Sequence, residues 1–149
     1  MLLIFVLGFM AEWIGIHKAW LFGNYVYGDT LGIKVNGVPL IIGVNWFLLV
    51  YSAGVLMQQA RLKSIWLRII AGALILVLLD VLIEPVAIRF NYWHWVENII
   101  PAKNYICWFL LSALMLFVFE KFGFKKQSMV GVVLLIAQFI FFAVLIFSA

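Results

Sequence analysis

Three carboxylates lie inside or beside the apolar runs of this chain: Glu12 in the first run, and Asp80 and Glu84 one helical turn apart near the end of the third. An ionised carboxylate at the centre of a membrane helix costs about 2.5–3.5 kcal/mol on insertion scales, so such residues turn inward to a partner, a cavity or a substrate. On a helix of 3.6 residues per turn, Gly72, Leu76, Asp80 and Glu84 fall on one stripe, and both carboxylates look in nearly the same direction. Two such groups do not readily both ionise away from water, and together they offer an acid beside a base. The alternative is scaffolding, with one or both paired to Arg89 or Lys103 at the end of the helix. Glu12 shares its face with Gly8, Gly15 and Ala19, small residues that let a neighbouring helix approach closely. It should face protein, as a general acid or as one end of an interhelical hydrogen bond.

Other polar and aromatic residues fall on stripes or in clusters. Asn45 and Ser52 are seven apart in the second run, and Asn104, Trp108 and Ser112 are four apart in the fourth. Ser52 and Ser112 read as ordinary interhelical glue. Asn104 stands beside Tyr105 at the membrane end shared by Asp80 and Glu84, where it could orient a water. Trp20, Tyr25, Tyr27, Tyr92, Trp93 and Trp95 gather on one side of the membrane. They read either as interfacial anchors or, in the dense run Asn91-Tyr-Trp-His-Trp that includes His94, as the wall of a narrow tunnel that stabilises a cation. Metal chemistry has no template here: His17 and His94 are the two histidines and Cys107 the single cysteine, in no ligand spacing. Nor is there a Walker loop, a dinucleotide fingerprint or a nucleophile elbow. The chemistry expected is acid-base chemistry without metal or cofactor.

The elements that must carry these residues follow from composition. The chain of 149 residues is 68% hydrophobic and 11% charged, with mean hydropathy +1.20, whereas soluble domains are about one quarter charged. It reads as an all-α integral membrane protein, a single polytopic helical domain over residues 1–149, with about five spans at 2–20, 40–57, 65–86, 105–119 and 129–147. The first run lacks a basic leader and is interrupted by Glu12, so it reads as a retained span, not a signal peptide.

Arg61, Lys63, Arg68, Lys121, Lys125 and Lys126 gather at one face, against Lys18, Lys34, Arg89 and Lys103 at the other. By the positive-inside rule the first face is cytoplasmic, with the N-terminus inside, in a bacterial inner membrane. Such scattered basic residues give no nucleic-acid surface, and lipid is the expected surrounding. Both long connections, Phe22 to Pro39 and Pro85 to Lys103, lie on the opposite face. The first contains the tight-turn pair Asn36-Gly37 and then Pro39, which can open the next helix; it is either a plain connector or a lid on the bundle mouth.

With these residues in view, the chain resembles the membrane carotenoid hydratases that act on bisanhydrobacterioruberin or γ-carotene. The resemblance rests on Glu12-x-x-Gly15, Phe22-Gly-Asn-Tyr-Val-Tyr, Leu31-Gly with Gly37-Val-Pro, Trp46, Asp80 with Glu84-Pro85, Trp93-His-Trp95, and Pro101-x-x-Asn104-Tyr-x-x-Trp108. His17 departs from it, standing where a small hydroxyl residue is expected. The resemblance implies an acyclic or monocyclic carotenoid substrate. It also implies addition of water across the terminal C1=C2 double bond of an acyclic end group: protonation at C2 leaves a tertiary cation at C1, which water captures. Glu84 or Asp80 would be the proton donor and its partner the base, with Glu12 as an alternative acid. Tyr25, Tyr27, Trp46, Trp93, His94, Trp95, Asn104, Tyr105 and Trp108 would surround the substrate. Two other functions fit the same elements. One is an end-group cyclase, which begins with the same protonation and is favoured by a sealed aromatic pocket. The other is a non-enzymatic lipid or pigment transporter or assembly subunit, which needs a polar path across both leaflets.

Overall fold

A computed structural model of the protein describes residues 2–122 and 128–148. Its architecture is all-α, as the apolar runs predict: α1 (Leu2–Lys18), α2 (Leu40–Gln59), α3 (Ile65–Arg89), α4 (Ala102–Lys121) and α5 (Val130–Phe147). The last four are long and apolar enough to cross a membrane. α1 has 17 residues, about 26 Å at 1.5 Å per residue, and packs along α2. α2 is the central element, in contact with all four other helices. Lys125 and Lys126, part of the basic face read from the sequence, lie outside the described residues.

Helix ends shift from the expected spans for local reasons. Ser64 caps α3, its hydroxyl accepting from the Leu67 amide at 3.5 Å. The helix then runs through Pro85 to Arg89, three residues past the expected end, because a proline near a membrane helix terminus removes a single backbone donor. α4 begins at Ala102, just after Pro101, so the fourth span is 20 residues and not the short one expected. At the end of the bundle remote from the long loops, Arg68 clamps Glu120 through two hydrogen bonds, Nε at 2.8 Å and Nη2 at 2.9 Å, tying α3 to α4.

At the other end the long connections form structure that the sequence reading treated as loop. β1 (Tyr25–Tyr27) pairs antiparallel with β4 (Trp93–Trp95), in the register Tyr25 to Trp95, Val26 to His94 and Tyr27 to Trp93. β2 (Lys34–Val35) and β3 (Val38–Pro39) make a hairpin. It turns on Asn36 and Gly37 with φ of 48° and 83°, the positive pair that a two-residue primed turn requires. The Phe22 to Pro39 connection is thus a lid packed on the bundle mouth, with Phe22 and Tyr25 buried.

Candidate active site

The period of two in a strand sends alternate side chains to opposite faces. Across the β1–β4 ribbon, Tyr25, Tyr27, Trp93 and Trp95 therefore point into the bundle, while Val26 and His94 are exposed. The inward rings pack on one another, with Tyr25 and Trp95 5.2 Å apart and Tyr27 edge-on to Trp93 at 6.2 Å. His94 is thereby separated from the other expected site residues, and its ring is hydrogen-bonded to Asn91.

Below the ribbon two glutamates come from different helices. Glu12 of α1 accepts three hydrogen bonds: Tyr25 Oη at 2.5 Å and Tyr27 Oη at 2.7 Å on Oε2, and Trp46 Nε1 at 2.8 Å on Oε1. Glu84 of α3 also accepts three: Trp93 Nε1 at 3.1 Å and Trp95 Nε1 at 2.9 Å on Oε2, and Asn104 Nδ2 at 3.1 Å on Oε1. One strand clasps each glutamate. The small residues of α1 make this approach possible. A side chain at Gly8 would overlap Trp46, and one at Gly15 would come within 2.7 Å of the Tyr25 hydroxyl. Trp46 in turn stacks on Trp108 with ring centroids 4.2 Å apart.

Glu12, Asp80 and Glu84 are 5%, 0% and 1% exposed, yet among the described residues no lysine or arginine pairs with any of them. Arg89 donates to the Leu145 carbonyl and Lys103 to the Ala19 carbonyl, so the ion-pair scaffold weighed from the sequence is not formed. All the partners of the carboxylates are neutral. Burial, and next the Glu12 carboxylate, push the Tyr25 and Tyr27 hydroxyls well above the usual tyrosine range, which keeps both as O–H groups.

Both glutamates line one cavity of about 40 Å³, together with Asn45, Asn104, Tyr25, Tyr27 and the four indoles of Trp46, Trp93, Trp95 and Trp108. Phe22, Ile42 and Ile83 complete its wall. A water needs roughly 10–15 Å³ and two to four polar partners; two carboxylates and two amides supply them. Asp80 does not line this space. Its Oδ2 accepts from Asn104 Nδ2 at 2.9 Å, and Oδ1 is buried without a hydrogen-bond partner among the described residues. Tyr105 is also outside the lining residues. Asn104 therefore spends both amide hydrogens on two carboxylates and keeps its oxygen as an acceptor.

The chain can be compared with known proteins on this geometry. The family model described as carotenoid biosynthesis protein matches residues 1–149. The chain belongs to the carotenoid biosynthesis protein family. Bisanhydrobacterioruberin hydratase of Haloarcula japonica is 27% identical to it over 125 residues, which is 79% of this chain and 42% of that relative. The chain thus spans 42% of the length of the curated relative it matches. No solved structure matches.

In this carotenoid biosynthesis protein, no group of three His, Cys, Asp or Glu among the described residues could hold a metal. Asn45, Phe22, Ile42 and Ile83 were not singled out for the site from sequence. Asn45 carried a usable signal, an amide beside Trp46 in an otherwise apolar run. Ser52 and Ser112 correct another reading, because as glue they should bond across helices, whereas both hydroxyls are buried without a hydrogen-bond partner among the described residues.

Proposed function

We propose that this chain adds water to the terminal C1=C2 double bond of an acyclic carotenoid end group, with Glu12 as acid and Glu84 as base. The partner sets of the two glutamates carry the reading. Those of Glu84 are three N–H groups that can only donate, surroundings suited to the ionised state in which a base begins its step. Those of Glu12 include two hydroxyls, which can turn to accept a hydrogen bond from its protonated form and so accommodate both of its states. Glu12 would protonate C2, leaving the tertiary cation at C1 among indole faces and carboxylates with no competing cation nearby. A water held by the Asn104 oxygen and Glu84 would then attack C1 and pass its proton to Glu84. Return of that proton through the cavity to Glu12 restores the site, and the net change is one water added. Asp80 would act through Asn104 as a positioning residue.

The amides on the cavity wall favour water capture over the proton loss of a cyclase. The remaining proposals follow the chain as a whole: one membrane domain that works on carotenoid within lipid, in a bacterial inner membrane with the N-terminus inside. Expression in cells that accumulate lycopene, followed by mass analysis of the pigment, tests the reaction. Gain of one or two waters is expected. An isomer of unchanged mass would replace hydration by cyclisation, and unaltered pigment would overturn both.

A further inference from the structure

The cavity at the glutamates, about 40 Å³, suits a water and the tip of an end group but not the polyene behind it, so a substrate needs a way in and space for its chain. A second cleft, of about 140 Å³, adjoins it. The two share Ile42, Asn45, Ile83 and Trp93 as a common wall. Beyond that wall the cleft is lined by Leu31 of the lid, Ile41 of α2, Phe142 of α5 and the ring of Tyr92. Leu31, Ile41 and Phe142 are apolar, and Ile41 is exposed on a helix long and apolar enough to cross the membrane. The cleft therefore faces lipid. It also sits at the lid end of the bundle: Glu84 is five residues before the end of α3, about 8 Å of helix, so the route from lipid to the glutamates stays within one leaflet.

A third cleft, of about 170 Å³, lies on the other side of Trp95 and differs in chemistry. Asn24 and Glu97 line it, with Gly23, Ile99 and Pro101. The ribbon thus places Trp93 between the glutamates and an apolar cleft, and Trp95 between them and a polar one.

We infer that the cleft between α2, α3 and α5 binds the polyene chain of the substrate. The chain enters sideways from lipid past Ile42 and Ile83, with its reacting end on the glutamates and the remainder against Ile41 and Phe142. An apolar linear chain loses nothing by leaving lipid for this surface, whereas the polar cleft would strip Asn24 and Glu97 of water to admit it. The occupant's class, a long apolar polyene, rests on the function proposed above, but the binding route does not depend on which reaction follows.

A diazirine side chain placed at Ile41 or Phe142 tests this in otherwise native protein. The controls are Val133 and Ile140, which are lipid-exposed on α5 and outside the cleft. Irradiation in membranes loaded with lycopene should yield peptide carrying the polyene mass at 41 and 142 at least fivefold above the controls. Equal capture at all four positions would overturn the inference. In a second measurement, Ile41→Trp should lower the lycopene retained per mole of purified protein several-fold, whereas Ile140→Trp should not; equal retention in both would also overturn it. Capture at the cleft without any gain of water would retain this inference and sink the hydratase reading. Hydration with no preferential capture would do the reverse.

Discussion

Glu84→Gln should destabilise the protein through Asp80, to which Glu84 is linked by way of Asn104. The glutamine oxygen can serve both indoles, which leaves its NH2 facing Asn104, now a donor against a donor. Asn104 must flip to present its oxygen, and in doing so it withdraws the N–H that lies 2.9 Å from Asp80 Oδ2. A buried carboxylate oxygen then faces an amide oxygen, at a cost of about 1–3 kcal/mol. In a domain of this size that is roughly 2–12 °C of melting temperature, at about 2–4 °C per kcal/mol. Adding Asp80→Asn supplies an NH2 to the flipped oxygen, so the double variant should recover most of the loss, a coupling of about 1–3 kcal/mol in the cycle. Activity should not recover. Both variants lack the base, and each should stay about 10²–10⁴-fold slower than the wild type. Glu12→Gln is the companion, because Tyr25 and Tyr27 can turn to accept from its NH2 while Trp46 keeps the oxygen. Its melting should change little and its activity should fall as far. Thermal unfolding in detergent, beside pigment analysis, reads both quantities. A Glu84→Gln protein as stable as the wild type, or one that Asp80→Asn does not rescue, would refute the account of Asn104 as the bridge.

Three further outcomes are expected. Because burial and Glu12 raise the Tyr25 and Tyr27 hydroxyls in the folded state, the unfolded chain releases these protons first. Stability should hold below about pH 10 and then fall by about 2.7 kcal/mol per pH unit for the two groups together, and Tyr25→Phe with Tyr27→Phe should flatten that slope. Product formed in 18O-labelled water should carry label in its hydroxyl, and product formed in deuterated water should carry deuterium at C2; label from molecular oxygen would make the reaction a hydroxylation. Cysteines at Lys63 and Asp29 should label from opposite sides of the membrane, Lys63 from the cytoplasm, and labelling from one side would break the proposed topology.

The helices were legible because apolar runs of this length have few alternatives, and the turn at Asn36-Gly37 because its residue types tolerate positive φ. The β1–β4 ribbon was not read, although Tyr25-Val-Tyr27 and Trp93-His-Trp95 both carry the period of two. Three residues are too few to separate a strand from a loop, and 65 residues intervene between them, so only the tertiary fold aligns them. Similar reasons divide the carboxylates. Helical spacing correctly placed Asp80 and Glu84 toward a common neighbour, Asn104, but cannot say that one lines the cavity while the other stands behind it. Nor can it pair Glu84 with Glu12, which belongs to a helix that packs elsewhere. The tryptophans were read as rings, for their faces. In the structure Trp46, Trp93 and Trp95 also act through N–H groups, a role that depends on which edge the backbone presents.

Every donor to a carboxylate in this site comes later in the chain than the carboxylate itself: Tyr25, Tyr27 and Trp46 follow Glu12, and Trp93, Trp95 and Asn104 follow Glu84, with Asn104 also serving Asp80. During synthesis α1 reaches the membrane with Glu12 still without partners, and α3 does so with two carboxylates in that state. Biogenesis thus passes through stages in which acidic groups await residues not yet made, and each waiting group opposes insertion by about 2.5–3.5 kcal/mol at mid-bilayer. Glu12 and Glu84 lie six and five residues from the lid ends of α1 and α3, about 8–9 Å of helix, which lets them linger close to the headgroups until their donors emerge, whereas Asp80 lies nine residues in. The depth of the two glutamates thus bears on how the chain inserts as well as on what it binds.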